Sequence, residues 1–149
     1  MQGCRLENCS LYEFDFSHAI LINSSFCGSQ ARAGLLDDKE WWSVGFLPIS
    51  FRCADLTNAN FTGANLTGKD FTGATLDGAD FTGASLVGED FTGTSLDGAD
   101  FTGASLDGAD FTGTTLDGAD FTGTTLDGAD FTGVKPDNEI IGSSAVGKV

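Results

Sequence analysis

Residues 96–103 have the sequence Leu-Asp-Gly-Ala-Asp-Phe-Thr-Gly. The same eight residues occur at four other places, beginning at Leu76, Leu106, Leu116 and Leu126. Across residues 56–131, every fifth residue is alternately leucine or phenylalanine, so a ten-residue unit contains two pentads of one design. A repeat this strict predicts an architecture in which each unit packs against its neighbours along one axis.

We call the leucine or phenylalanine the centre of its pentad. The residue two before the centre is mostly alanine or threonine, and the residue directly before it is aspartate, asparagine, serine or threonine. From Gly63 to Gly133, the second residue after the centre is always glycine. Glycine adopts the positive φ of a tight corner without steric cost, which predicts one corner per pentad. The side chains of the residue before the centre, the centre itself and the residue after it then point outwards, inwards and outwards. The small residue two before the centre fits the crowded interior.

A period of five is incompatible with both regular secondary structures. In a plain strand, side chains alternate between faces, so successive centres would lie on opposite sides. In a helix, which turns about 100° per residue, centres five apart would advance by roughly 140° and wander around the cylinder. Glycine at every fifth position would also cost a helix close to ~1 kcal/mol each. The chain is therefore expected to turn once per pentad.

The segment Ala54-Asp55-Leu56-Thr57-Asn58 resembles the motif of the pentapeptide-repeat family, which is a small residue, Asp or Asn, Leu or Phe, and two variable residues. The resemblance implies an all-β fold, a right-handed quadrilateral β-helix solenoid with about four pentads per coil. The alternation of Phe and Leu agrees with this, because an even number of pentads per coil stacks Phe on Phe and Leu on Leu.

We expect the 149 residues to form one pentapeptide-repeat domain. In the register of the regular pentads, Leu6, Leu11, Phe16, Leu21 and Phe26 are centres of degenerate pentads. The motif is then lost for twenty residues, the length of one coil, so either a looped-out insertion or an irregular coil would keep the register. The predicted parts are degenerate repeats at 4–28, the insertion or irregular coil at 29–48, regular repeats at 49–133 and a C-terminal tail at 134–149.

The formal net charge of −15 is concentrated in one part of the chain, because residues 70–130 contain thirteen acids and no base. Four pentads per coil would stack the aspartates before the Phe centres in two outer columns, Asp70, Asp90, Asp110 and Asp130 in one and Asp80, Asp100 and Asp120 in the other. Further columns would flank the leucines. Nucleic acid and anionic membranes are poor direct partners for such a surface, whereas a basic protein or a protein that holds DNA would suit it.

The sequence does not favour an enzyme or a cofactor-binding protein. The sole histidine, His18, has no evident nucleophile partner, and regular repetition makes the coils equivalent, whereas an active site needs one distinct environment. We therefore expect no catalytic residues and no cofactor. We also expect no metal site, because the ten-residue period differs from that of calcium-binding β-rolls. The four cysteines show no Cys-x-x-Cys spacing, and neither a leader nor a membrane span is evident, which favours a cytoplasmic protein.

Two function classes follow from these observations. The first is a structural or protein-interaction scaffold with an acidic rod-like surface, whose protein partner the sequence does not identify. The second is a DNA mimic, since some members of the family are DNA-like rods that engage DNA gyrase and protect it from quinolones. Candidate partner surfaces are the seven aspartates before the Phe centres and the adjacent aromatic pair Trp41 and Trp42. The open ends of a solenoid leave end-to-end homodimers as a further alternative.

One pair of residues tests the number of pentads per coil. Lys69 and Glu89 both occupy the small inward position, and they are twenty residues apart. A coil of four pentads makes them stacked neighbours. We expect an ion pair between them, because one charge at a covered corner without its partner would be costly.

Overall fold

The computed structural model describes residues 10–11, 30–31, 50–67 and 69–134. Strand β1 (Ser10–Leu11) pairs in parallel with strand β2 (Gln30–Ala31), and Ser10 lies opposite Gln30. From Ser50 onwards the backbone forms single parallel bridges in place of longer strands. Every bridge joins residues twenty apart, from Ser50 with Asp70 to Asp110 with Asp130. Twenty residues are four pentads, so the predicted coil is confirmed.

In the interior of the stack, neighbouring coils are joined by backbone hydrogen bonds at up to three places in each pentad. The N–H of the centre Phe61 donates to the carbonyl of Asp80 at 2.7 Å, and the N–H of Gly63 donates to the carbonyl of Thr82 at 2.9 Å. In the opposite direction, the N–H of Asp80 donates to the carbonyl of Ala59 at 2.9 Å. Because each coil uses its backbone groups on the coils before and after it, the stack leaves few of them unpaired.

Each corner is a tight turn with glycine at its third position. The N–H of Ala64 donates to the carbonyl of Phe61 at 2.9 Å across the turn, and Gly63 between them has φ of +62°. This is the pattern of a type II turn, which requires positive φ at that position. Two earlier pentads hold the same conformation without glycine, at Cys53 with φ of 53° and at Asn58 with φ of 54°. The predicted role of the glycines is confirmed.

The core consists of the pentad centres and the small residues beside them. Phenylalanines twenty apart stack with ring centroids 4.8–5.3 Å apart and interplanar angles of 2–15°. Successive phenylalanines, ten apart, meet edge to face at 5.9–6.3 Å across the interior. The leucine centres from Leu56 to Leu116 are likewise buried. Each buried centre contributes about 1.5–3 kcal/mol relative to an exposed one.

Lys69 and Glu89 are stacked neighbours in adjacent coils, as predicted, and they are 6% and 1% exposed. The contact between them differs from the prediction. The backbone N–H of Lys69 lies 3.0 and 2.9 Å from the two carboxylate oxygens of Glu89, where an ion pair with the ammonium was expected. A corner amide is close to the carboxylate because the coil spacing brings the backbone of one coil against the side chain of the next.

The domain boundaries remain predictions, because most of the degenerate repeats, most of residues 29–48 and nearly all of the tail lie outside the described residues. Strands β1 and β2 use the same twenty-residue register as the regular coils. The repeat register therefore applies to residues 10–11 and 30–31, the second of which falls in the segment predicted as an insertion or irregular coil.

Candidate functional site: the acidic columns

The aspartates that precede the phenylalanine centres form two columns, which we call the Phe-face columns. Parallel bridges join Asp70 to Asp90, Asp90 to Asp110 and Asp110 to Asp130, and the second column runs through Asp80, Asp100 and Asp120 in the same way. Consecutive carboxylates in a column are therefore separated by one coil, a rise of ~4.8 Å. The structure thus aligns four of the seven predicted aspartates in one column and the other three in a second column, beside phenylalanines that face each other across the interior.

Each carboxylate of the Phe-face columns accepts a hydrogen bond from its own pentad. The N–H of the threonine two residues later donates to Oδ1 of the aspartate, at 2.8 Å for Thr102 with Asp100 and 2.8–2.9 Å in the other six pairs. This is an Asx turn, in which the side chain holds a backbone N–H that would otherwise face solvent. Asn60 makes the same bond with the N–H of Thr62 at 2.9 Å, so an amide oxygen serves equally well as acceptor.

Describing these aspartates as outward charges alone leaves out this structural role. The signal that could have revealed it is the spacing, because an aspartate or asparagine two residues before a threonine recurs beside every phenylalanine from Phe61 to Phe131. The carboxylates are consequently held in one orientation instead of rotating freely.

A second set of aspartates follows the leucine centres, and we call these the Leu-face columns. Their carboxylates bond to the next coil, since the N–H of Asp117 donates to Oδ1 of Asp97 at 3.0 Å and that of Asp127 donates to Oδ1 of Asp107 at 3.0 Å. Asp77 accepts both the N–H of Asp97 at 3.2 Å and the hydroxyl of Ser95 at 2.5 Å. Backbone donors thus offset part of the repulsion between like charges in register.

Hydrogen bonding favours the charged form of several of these acids. The Thr132 hydroxyl and N–H both donate to Oδ1 of Asp130 and hold the pKa of Asp130 below its ordinary value. Hydrogen bonding by Thr122 lowers the pKa of Asp120 in the same way. Asp120 and Asp130 are therefore charged at neutral pH.

Asp70, at the other end of its column, has a basic neighbour. Nη1 of Arg52 lies 3.1 Å from Oδ2 of Asp70, in a pair that is open to solvent. Desolvation raises the pKa of Asp70, but hydrogen bonding by Thr72 and Arg52 outweighs it and the pKa is lowered. Arg52 thus neutralises one end of this column, while the rest of the column faces solvent without a basic residue in 70–130.

Trp41 and Trp42, the other predicted partner surface, lie outside the described residues. Within residues 50–67 and 69–134, no set of three or more His, Cys, Asp or Glu side chains is arranged to hold a metal ion. A search of the described residues for a helix long and apolar enough to cross a membrane finds none.

The family model for pentapeptide repeats matches the chain in eight copies, over residues 1–32, 54–93 and 94–133. These ranges cover well over half of the sequence. The chain belongs to the pentapeptide-repeat family, and its fold is the right-handed quadrilateral β-helix of that family. A search of curated proteins finds no match.

Solved structures with the same fold come from plants and bacteria. A pentapeptide repeat protein of the Arabidopsis thaliana thylakoid lumen is 32% identical, with 65% of this chain and 68% of that chain aligned and a TM-score of 0.60. A pentapeptide repeat protein from Nostoc PCC 7120 is 34% identical over 52% of this chain and 64% of its own, with a TM-score of 0.51. QnrB1, a plasmid-mediated fluoroquinolone resistance protein, was solved in a trypsin-treated variant form. It is 20% identical, with 93% of this chain and 80% of that chain aligned and a TM-score of 0.51.

Proposed function

We propose that this protein is a non-enzymatic interaction scaffold whose acidic columns bind a basic surface of a protein partner. The observation that carries the proposal is the pair of Phe-face columns, in which seven carboxylates repeat at the coil spacing on a rod without a base between residues 70 and 130. Such a surface attracts positively charged partners over distance and repels nucleic acid.

The hydrogen bonds to threonine support binding as well as folding. A carboxylate held by one backbone N–H keeps about three further lone-pair sites for an incoming arginine or lysine. Because its orientation is already fixed, less side-chain entropy is lost when a partner binds. The columns therefore suit a partner with basic groups at a matching regular spacing, such as a helix or strand that presents arginines along one face.

Charge spacing favours one second candidate, a DNA mimic that occupies the DNA-binding surface of a topoisomerase such as gyrase. The coil 100–119 contains four acids, Asp100, Asp107, Asp110 and Asp117. With a coil rise of ~4.8 Å this is one charge per ~1.2 Å of axis, against one per ~1.7 Å in duplex DNA. The resemblance to the fluoroquinolone resistance protein supports only the fold at its 20% identity, so this candidate rests on the charge spacing.

The experiment replaces Asp100, Asp110 and Asp120 with asparagine. Asparagine keeps the Oδ1 acceptor that the threonine N–H groups need, as Asn60 does in the native chain, so the rod should stay folded while three charges are lost. The matched control is Thr102→Ser, Thr112→Ser and Thr122→Ser, which alters the same two columns without changing their charge.

The native protein, the Asp→Asn triple and the Thr→Ser control are each tested for the partner proteins that they capture and for inhibition of gyrase supercoiling. We expect partner capture to fall with the Asp→Asn triple and with added salt, because exposed charge contacts are screened beyond about 10 Å at 0.1 M. Supercoiling should be unaffected at micromolar protein. Inhibition that the Asp→Asn triple abolishes would instead establish the DNA mimic. Capture that depends only on Trp41 and Trp42 would reject the acidic columns as the binding surface.

A further inference from the structure

Five Asp-Gly pairs share the same surrounding sequence but have different positions in the stack. Each is the second and third residue of a Leu-Asp-Gly-Ala-Asp-Phe-Thr-Gly unit, and the pairs are Asp77-Gly78, Asp97-Gly98, Asp107-Gly108, Asp117-Gly118 and Asp127-Gly128. Asp-Gly is the dipeptide in which the backbone nitrogen after aspartate is least hindered, since glycine has no side chain. Local sequence makes the five pairs equally reactive, so a difference between them must come from the fold.

The first difference is the hydrogen bond of the glycine. The N–H groups of Gly78, Gly98 and Gly108 donate to carbonyls of the next coil at 2.8, 2.8 and 2.9 Å. Within the described part of the chain, the N–H groups of Gly118 and Gly128 have no such acceptor. The turn bond is the same in all five, because Ala119 and Ala129 still donate across their corners at 3.1 Å.

The second difference is the carboxylate. Oδ1 of Asp77, Asp97 and Asp107 accepts the N–H of the aspartate one coil further on. No donor to the carboxylates of Asp117 and Asp127 is found among residues 50–67 and 69–134. These last two aspartates are also exposed, whereas the other three are partly buried. Among the described residues, the glycine N–H and the aspartate carboxylate are thus both bonded in the first three pairs, and neither is bonded in this way in the last two.

We propose that Asp117 and Asp127 are sites of spontaneous isoaspartate formation, and that stacked coils protect the other three pairs. In this reaction the nitrogen of Gly128 attacks Cγ of the protonated Asp127 carboxyl group, a C–N bond forms, and the hydroxyl leaves as water with the proton of the nitrogen. The product is a cyclic imide. Water then opens the ring at the former backbone carbonyl, so the main chain runs through Cγ and gains one methylene carbon.

Formation of the ring brings Cγ of the aspartate into bonding distance of the next nitrogen, so the aspartate and glycine must move relative to each other. At Asp77, Asp97 and Asp107 this movement breaks a ladder bond and a carboxylate bond together, whereas at Asp117 and Asp127 neither bond is present among residues 50–67 and 69–134. Ends of repeat arrays open at lower free energy than their interiors for the same reason. An added backbone atom at Asp127 would lengthen the corner and prevent its return to the native turn.

The test compares identical sequences within one intact chain. The folded protein is held at neutral pH and physiological temperature for several weeks, then denatured and cut after phenylalanine under mildly acidic conditions. Residues 112–121 and 122–131 give the same peptide, Thr-Gly-Thr-Thr-Leu-Asp-Gly-Ala-Asp-Phe, while 72–81, 92–101 and 102–111 give three peptides of different mass. Chromatography and electron-transfer fragmentation then measure the isoaspartate fraction in each.

We expect isoaspartate to accumulate at least about tenfold faster in the shared peptide than in the other three. The same incubation in denaturant should give similar rates in all four peptides. Similar rates in the folded rod would overturn the proposal, as would an unchanged ratio in denaturant. The variants Asp117→Thr and Asp127→Thr separate the two sites. Each substitution changes the mass of one of the two identical peptides, so the peptide of native sequence then reports the other site alone. Threonine is native after the centre Leu66, so both variants should fold.

Discussion

At Gly103, backbone conformation favours glycine and space does not. At Gly103, φ is +67° and an added Cβ would meet no atom within 4 Å. Gly103→Ala should therefore lower the free energy of unfolding by about 1–2 kcal/mol, the cost of a left-handed conformation for an ordinary residue. Gly103→Asn should cost less, since Asn58 already adopts φ of 54° in this fold. Urea denaturation measures both, and equal losses would contradict a purely conformational cause.

The corner at Lys69 and Glu89 replaces two small residues with a buried polar contact. Glu89→Ala alone should reduce the free energy of unfolding by about 1–3 kcal/mol, because the Lys69 N–H loses its charged acceptor and keeps only the turn bond to the carbonyl of Leu66 at 3.2 Å. The double variant with Lys69→Ala should recover part of this loss, since alanine is the usual residue at this position. Additive losses in a double-mutant cycle would show that the two side chains are not coupled.

Asp130 tests the hydrogen bonds of the Phe-face columns by titration. Its pKa is lowered by Thr132, so its carbon-13 titration midpoint should lie below the ordinary value of 3.8. A depressed pKa means that this contribution to stability is complete above the ordinary pKa and is lost as pH falls through the folded value. Thr132→Val removes the hydroxyl donor and should move the midpoint back towards 3.8, whereas Thr132→Ser should not. An unchanged midpoint in the valine variant would assign the effect to the backbone N–H alone.

At the scale of the element, a coil is stable because it has a neighbour on each side. Phe101 stacks on Phe81 at 5.0 Å and on Phe121 at 4.9 Å, whereas Phe131 stacks on Phe111 alone among the described residues and is only partly buried. Phe101→Ala should therefore cost about 3–5 kcal/mol, the usual range for a buried ring, and Phe131→Ala clearly less. Thermal and urea unfolding measure the gradient. Equal costs would mean that the last described coil is as well packed as the middle.

At the scale of the molecule, columns of like charge should make the stability of the rod depend on ionic strength. Carboxylates one coil apart repel, and the Debye length falls from about 30 Å at 0.01 M salt to about 10 Å at 0.1 M. The thermal midpoint should therefore rise as sodium chloride is added. The Asp100→Asn, Asp110→Asn and Asp120→Asn triple should start from a midpoint at least as high and show a weaker dependence. A midpoint that falls with salt would mean that attractive pairs such as Arg52 with Asp70 dominate.

The amino-acid sequence by itself determined the pentad, its inward centre, its small neighbour and its glycine corner. These are local properties, because a hydrophobic residue every fifth position and a positive φ two residues later leave few backbone paths. The twenty-residue coil came from the family resemblance, and the bridges confirm it. The Asx bonds of the Phe-face columns were also within reach of the sequence, since donor and acceptor are two residues apart.

Only the tertiary structure decided what depends on the neighbouring coil. The contact of Glu89 with the Lys69 amide, in place of its ammonium, arises from the approach of one coil's backbone to the next coil's side chain. Asp97 and Asp117 have the same surrounding sequence, yet the first carboxylate is bonded to the next coil and the second has no such bond among the described residues. Local sequence cannot separate such pairs, because the donor to a bonded carboxylate lies twenty residues further along the chain.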